Sequence, residues 1–148
     1  MSVLKASRNA QWPLVAEFVF NFDDTMVNTA SNTVDFGKTN LGVAAGIFDI
    51  IALPCNAEVI GGGVFTTTEF DTAGFTIKIG DSDVDDRYLG AVDAKAAGFI
   101  TPLVPTGYVG LGENLRLTFA NDDVCTTGKM TVQVKYIIRS RANEVQIT

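Results

Sequence analysis

The 148-residue chain has no histidine. That removes the commonest general base and the commonest transition-metal ligand at neutral pH. There are two cysteines, Cys55 and Cys125, too far apart for a zinc knuckle or a redox motif. Charge is scarce at 19% of residues, against ~25% in a typical soluble domain. Positive charge is the scarcer sign, with 11 Lys and Arg against 17 Asp and Glu and a net charge of −6. A nucleic-acid partner is therefore not expected, because displacing counterions from phosphates takes clustered cations. No apolar run reaches membrane-spanning length, so no membrane partner is expected either. Met1–Arg8 is followed by no apolar h-region, so no signal peptide is expected. The product should be soluble and made in a reducing cytoplasm, with both thiols free.

What the chain does have is apolar residues in alternation. Hydrophobic residues make up 47% and the mean hydropathy is +0.22. Combined with so little charge, this points to surface that does not face water, as in an oligomer or a component docked on a larger assembly. The length suits one domain, and a core of that size needs neither metal nor disulfide to fold.

Val132, Val134, Tyr136 and Ile138 fall on one side of an extended chain, opposite Thr131, Gln133, Lys135 and Arg139. A period of two is what a half-buried β-strand requires. Ala16, Phe18, Phe20 and Phe22 repeat the pattern against Glu17 and Asn21, as do Phe75, Ile77 and Ile79 against Thr76 and Lys78. Further strands are expected near 31–36, 57–68, 88–92, 99–104 and 115–119. Ile47–Leu53 is apolar on both faces except at Asp49, which predicts a central strand or one covered by a neighbouring subunit. Gly61-Gly62-Gly63 interrupts its strand and predicts a bulge or sharp bend. The stretch 42–46 reads as loop, and Asp93–Ala97 as one helical turn at most. No segment keeps a helical period. Eight to ten short strands separated by turns predict an all-β fold: a single antiparallel β-sandwich, jelly-roll-like, over 14–148, preceded by an irregular N-terminal arm over 1–13.

Few residues invite chemistry. Asp81, Asp83 and Asp85 occupy the first, third and fifth places of a calcium loop. Asp86 stands where that loop needs glycine, and Val92 where it needs glutamate, so a solvated turn with Arg87 offsetting its charge is the simpler reading. Gly128-Lys129 resembles the end of a phosphate loop, but Asp123 and Met130 break the pattern. Trp12, Tyr88 and Tyr108 could stack on sugar rings, whereas Trp12 in the arm is better read as an anchor on its own or a neighbouring subunit. No catalytic set and no cofactor or metal site is expected. The expected interface residues are Trp12, Lys5 and Arg8 of the arm and Ile47, Ile51 and Leu53 of the apolar strand.

Several passages together resemble small structural proteins of tailed bacteriophages, above all capsid decoration (cement) proteins. They are Phe48-Asp-Ile-Ile-Ala-Leu-Pro54, Glu58-Val-Ile-Gly-Gly-Gly-Val-Phe65, Phe75-Thr-Ile-Lys-Ile-Gly-Asp81 with Asp83–Asp86 and Arg87-Tyr-Leu-Gly90, Leu115-Arg-Leu-Thr-Phe119, and Thr127 through Tyr136. The resemblance covers roughly residues 47–138 and rests on strand-and-turn patterns. It implies a non-enzymatic virion structural protein, a homotrimer that binds the major capsid protein on the outer capsid surface and stabilises the shell. Related modules occur in head spikes and tail fibres. The alternative from another class is a carbohydrate-binding β-module of a fibre, spike or cell-surface protein, which aromatic side chains aligned on one exposed sheet face would favour.

Overall fold

A computed structural model of the chain describes residues 12–38 and 46–139. Ten strands follow one another: β1 (Leu14–Asn21), β2 (Thr25–Val27), β3 (Thr33–Asp35), β4 (Ile47–Ile51), β5 (Ala57–Thr68), β6 (Phe75–Gly80), β7 (Leu89–Asp93), β8 (Ile100–Pro102), β9 (Leu115–Asn121) and β10 (Lys129–Ile138). There is no helix among the described residues. The expected helical turn after Asp93 is a plain turn closed by Phe99 N–H on Ala96 O at 3.1 Å.

Two four-stranded antiparallel sheets, β1-β10-β5-β8 and β4-β9-β6-β7, pack face to face. The pairing is nested. The outermost sandwich strands β1 and β10 pair, then β4 with β9, β5 with β8, and β6 with β7 at the centre of the chain. A long antiparallel ribbon rolled on itself gives this order, which is the jelly roll. Two further ladders, β10 to β5 and β6 to β9, close each sheet. The loops then divide between two ends. The start of β1, the end of β10 and the connections 52–56, 81–88 and 103–114 lie at one end; 22–24, 28–32, 69–74, 94–99 and 122–128 lie at the other.

The alternating residues meet between the sheets. Met130, Val132 and Val134 of β10, Phe75, Ile77 and Ile79 of β6, and Leu115, Leu117 and Phe119 of β9 are all buried. An aromatic cluster joins the layers. Phe36 lies 4.3 Å from Phe20, 4.8 Å from Phe48 and 5.3 Å from Phe119, ring centre to ring centre, and Phe75 lies 4.1 Å from Phe70. Such ring pairs add about 0.5–1.5 kcal/mol each beyond their burial. Phe36 follows the small β2–β3 hairpin inserted between β1 and β4, whose turn is held by Asn28 Oδ1 accepting the N–H groups of Ala30 and Asn32. The hairpin thus delivers a core residue. Its first strand, only three residues long, has too little alternation to show in the sequence.

One strand expectation needs correction, and one is met. Among the described residues β4 pairs only with β9, so it lies at the edge of its sheet and is not a central strand. A register irregularity between Asp49 and Ile51 explains its doubly apolar pattern. Ile47 sits opposite Thr118 on the outer face, whereas Ile51 comes opposite Leu115 and turns into the core. Asp49 lies outward across from Arg116, whose Nε donates to Asp49 Oδ1 at 2.9 Å. In β5 the expected bulge is present: the register shifts between the pairs Lys135–Gly61 and Tyr136–Val59, leaving Ile60 as the extra residue beside the three glycines. At Gly62 the backbone has φ +118°, and a Cβ would lie 2.1 Å from the carbonyl oxygen of Gln133 on β10. Only glycine fits there.

Candidate interaction surface

The expected interface residues that are described, Trp12, Ile47, Ile51 and Leu53, lie in different surroundings. Lys5 and Arg8 lie outside the described residues. Trp12 is 86% exposed where the chain enters β1. Ile47 is half-buried on the outer face of the β4-β9-β6-β7 sheet, Leu53 is half-buried at the loop end, and Ile51 is buried in the protein's own core. An interface through Ile51 is thereby removed, because the bulge in β4 spends its side chain on the sandwich.

Exposed apolar side chains lie elsewhere. On the outer face of the β1-β10-β5-β8 sheet, Val19, Thr131, Phe65 and Ile100 stand in one cross-strand row. The adjacent row, Glu17, Gln133, Gly63 and Pro102, is mixed, and Lys135 lies beside Val15 in the next. This face is too interrupted by polar groups to match a core-like interface. The second group lies at the loop end, where Val104 and Leu111 are well exposed and Val84 less so.

The same end holds the best-built polar cluster. Asp81 is buried, and its Oδ1 accepts the N–H groups of Asp83 and Val84, both at 2.9 Å. Short carboxylates make such turns readily. Arg87 Nε donates to Asp81 Oδ2 at 2.5 Å, and the guanidinium lies over the Tyr108 ring, 3.6 Å from its centre. The Tyr108 hydroxyl donates to Glu113 Oε1 at 2.6 Å, and Leu111 N–H donates to Glu113 Oε2 at 2.6 Å. Burial pushes the Asp81 carboxyl up, but the hydrogen bonds from Arg87 and from the Val84 and Asp83 amides outweigh it and leave it below the usual carboxylate range. The hydrogen bond to Glu113 first, then burial, pushes the Tyr108 phenol up to about 12. The Tyr108 hydroxyl in turn lowers Glu113. Every group is thus held in the form its partner wants, and none is poised to exchange a proton near neutral pH.

The calcium-like spacing is not assembled as a site. Asp81 spends both oxygens on its own turn and on Arg87, while Asp85 Oδ2 pairs with Lys78 Nζ at 2.5 Å. Among the described residues no three acidic, cysteine or histidine side chains gather as metal ligands. A hollow beside the cluster, lined by residues that include Leu53, Asp81, Tyr88 and Glu113, encloses about 250 Å³ even counting space open to solvent. That is below the ~300–1,000 Å³ of ligand pockets. Both cysteines are free, Cys55 exposed at this end and Cys125 buried at the other.

The sugar-stacking candidates are also accounted for. Tyr88 is buried, and Arg87 covers one face of Tyr108. Among the described residues the large exposed apolar side chains are eight aliphatic ones and Trp12. Among the described residues no aromatic row faces solvent, so the carbohydrate reading loses the feature that would favour it. The Arg87–Tyr108–Glu113 relay escaped sequence reading because its members come from two separate loops. The signal that was there is Leu111, a lone hydrophobe between Gly110 and Gly112.

No family model matches the sequence, and no curated protein is similar to it. Solved structures do match. A chain in the capsid asymmetric unit of cyanophage Pam1 has a TM-score of 0.56 at 18% identity, over 91% of this chain and 92% of that one. A chain in the acid-stable capsid of Helicobacter pylori bacteriophage KHP30 has a TM-score of 0.61 at 16% identity, over 93% of this chain and 95% of that one. At such identities the likeness is one of fold, and it extends across almost the whole of both chains.

Proposed function

We propose that the protein is a non-enzymatic structural component of a bacteriophage virion, a decoration or cement protein that binds the outer surface of the capsid. One observation carries this reading: the jelly roll matches, nearly end to end, separate chains of two phage capsids. A match that fills both partners says that a free-standing domain of this size and topology is a part that phage capsids use. Low charge and exposed aliphatic side chains support a docked existence over a free one. The polar cluster at the loop end supports it too, since its groups hold loops in place and leave no reactive centre.

The mechanism is mass action. A protein that binds the assembled shell and not its isolated subunits lowers the free energy of the shell by RT ln(1 + [L]/Kd) at each site, about 2.7 kcal/mol when free protein is at 100 Kd. Repeated over many sites, modest affinity at each gives a large gain for the particle. The homotrimer implied by the family resemblance would add avidity, because three linked contacts dissociate far more slowly than one.

The test uses capsids from a phage deleted for this gene, to which purified protein is added. Saturable co-sedimentation and a higher capsid disruption temperature are expected. Protein that stays in the supernatant at micromolar concentration would refute shell binding. Light scattering on the free protein tests the trimer separately, and a clean monomer mass removes it.

A further inference from the structure

The connection 103–114 is the longest between strands outside the partly described stretch 36–46, and it carries three glycines, Gly107, Gly110 and Gly112. Such a segment samples many conformations unless it is pinned. Here its second half is pinned. Gly110 N–H donates to Ala57 O and Gly110 O accepts from Asn56 N–H, both at 2.8 Å, while Val109 bridges to Glu58. Glu113 spans the tip, holding the Tyr108 hydroxyl with one oxygen and the Leu111 N–H with the other. Arg87, fixed by Asp81, lies on the Tyr108 ring and locks this loop to the neighbouring one.

All this order presents a side chain that contributes nothing to the core. Leu111 is 80% exposed at the tip, beside Gly112 with φ +107°. An apolar group on a loop already fixed in shape loses little conformational entropy on binding, so more of its burial appears as affinity. In the loop 81–88 the charge left over is of one sign. Lys78 is taken by Asp85 and Arg87 by Asp81, whereas exposed Asp83 and Asp86 have no cationic partner among the described residues.

We infer that Leu111 is the anchor by which this end of the sandwich enters an apolar hollow on the shell protein, and that Lys or Arg side chains edging the hollow face Asp83 and Asp86. The inference rests on the shell-binding reading and adds to it the docking end and the chemistry of the partner. It places the outer face of the β1-β10-β5-β8 sheet away from the shell.

The experiment is quantitative co-sedimentation with capsids lacking the protein, with the unaltered chain as control. Leu111→Ala should weaken binding at least tenfold and Leu111→Asp more, with circular dichroism and melting unchanged because the side chain is exposed. Asp83→Asn with Asp86→Asn should flatten the salt dependence of binding. Val19→Asp and Ile100→Asp, on the sheet face, should bind as the unaltered chain does. If the Leu111 variants bind normally while the sheet-face variants are released, the docking surface is the sheet and the inference is overturned. If the control itself fails to sediment, the shell reading falls and the inference with it.

Discussion

The three consecutive glycines of β5 give a prediction that separates geometry from composition, since they look alike in the sequence. At Gly62 an alanine Cβ would stand 2.1 Å from Gln133 O and 2.9 Å from Val134 Cα, backbone atoms that can yield only by parting β5 from β10. The backbone there is also at φ +118°, a region closed to L side chains at a cost of about 1–3 kcal/mol. Displacing the central ladder of a sheet adds an overpacking cost of about the same size. Gly62→Ala should therefore destabilise by roughly 3–5 kcal/mol, a large part of the ~5–15 kcal/mol that holds a domain together. Gly61 is different. Its Cβ would meet nothing nearer than Lys135 Cδ at 4.0 Å, in ordinary backbone. Gly61→Ala should be neutral or stabilise by about 0.4–1 kcal/mol, through the lower entropy of the unfolded chain. Gly63 lies between, with Thr101 O at 3.0 Å and the end of the Phe65 ring at 3.2 Å. Urea unfolding of the three variants at one fixed protein concentration should rank them 61, 63, 62 in order of increasing loss. A Gly62→Ala midpoint equal to that of Gly61→Ala would refute the reasoning, for it would mean that the bulge relaxes freely.

Other outcomes follow from particular contacts. Asp71 accepts the Thr126 hydroxyl and the amides of Thr126 and Thr127 at 2.6 and 3.0 Å, which hold its carboxyl at about 2 against an ordinary 3.8. Its folded-state value is depressed, so its contribution is full above pH 3.8 and lost as the pH falls through about 2. The melting temperatures of the unaltered protein and Asp71→Asn should accordingly differ most at neutral pH and converge in strong acid; a constant gap contradicts this. Chelator should leave the melting temperature unchanged, because Asp81 and Asp85 are already engaged by protein cations; a large drop reversed by Ca²⁺ would reinstate a metal there. Deleting Met1–Gln11, or changing Trp12→Ala, should preserve cooperative melting while weakening capsid co-sedimentation, by about 2 kcal/mol for the tryptophan. Loss of folding on truncation would show that the arm belongs to the sandwich.

Much of the architecture was legible because alternation and burial share one cause. β10, β6 and the Phe-rich β1 were plain, since each has one face in the core and one outside. β4 was misread because a single extra residue inverts the side-chain parity, and nothing in Ile-Phe-Asp-Ile-Ile announces where it falls. Asp81 looked like one of several loop carboxylates, and only the fold shows that it alone turns inward to Arg87. The interaction surface was the least legible. Exposure of Leu111 depends on where Glu113 and Tyr108 point, and they meet Arg87 only after two loops have been brought to the same end.

Nested pairing also dictates the order in which the chain can become complete. The innermost pair, β6 with β7, needs only a short loop, whereas Leu14 meets Tyr136 across nearly the whole sequence. Loop-closure entropy makes such distant pairings slow, and folds dominated by them take on the order of milliseconds to seconds. During synthesis the delay is longer, because β1 leaves the ribosome first and its partner β10 last. At ~5–20 residues per second the apolar face of Phe18 and Phe20 waits roughly 6–20 seconds for its partner strand. Throughout that interval β1 is an unpaired edge next to other nascent copies, so yield of native protein should fall steeply with expression rate and recover at low temperature or with added chaperone.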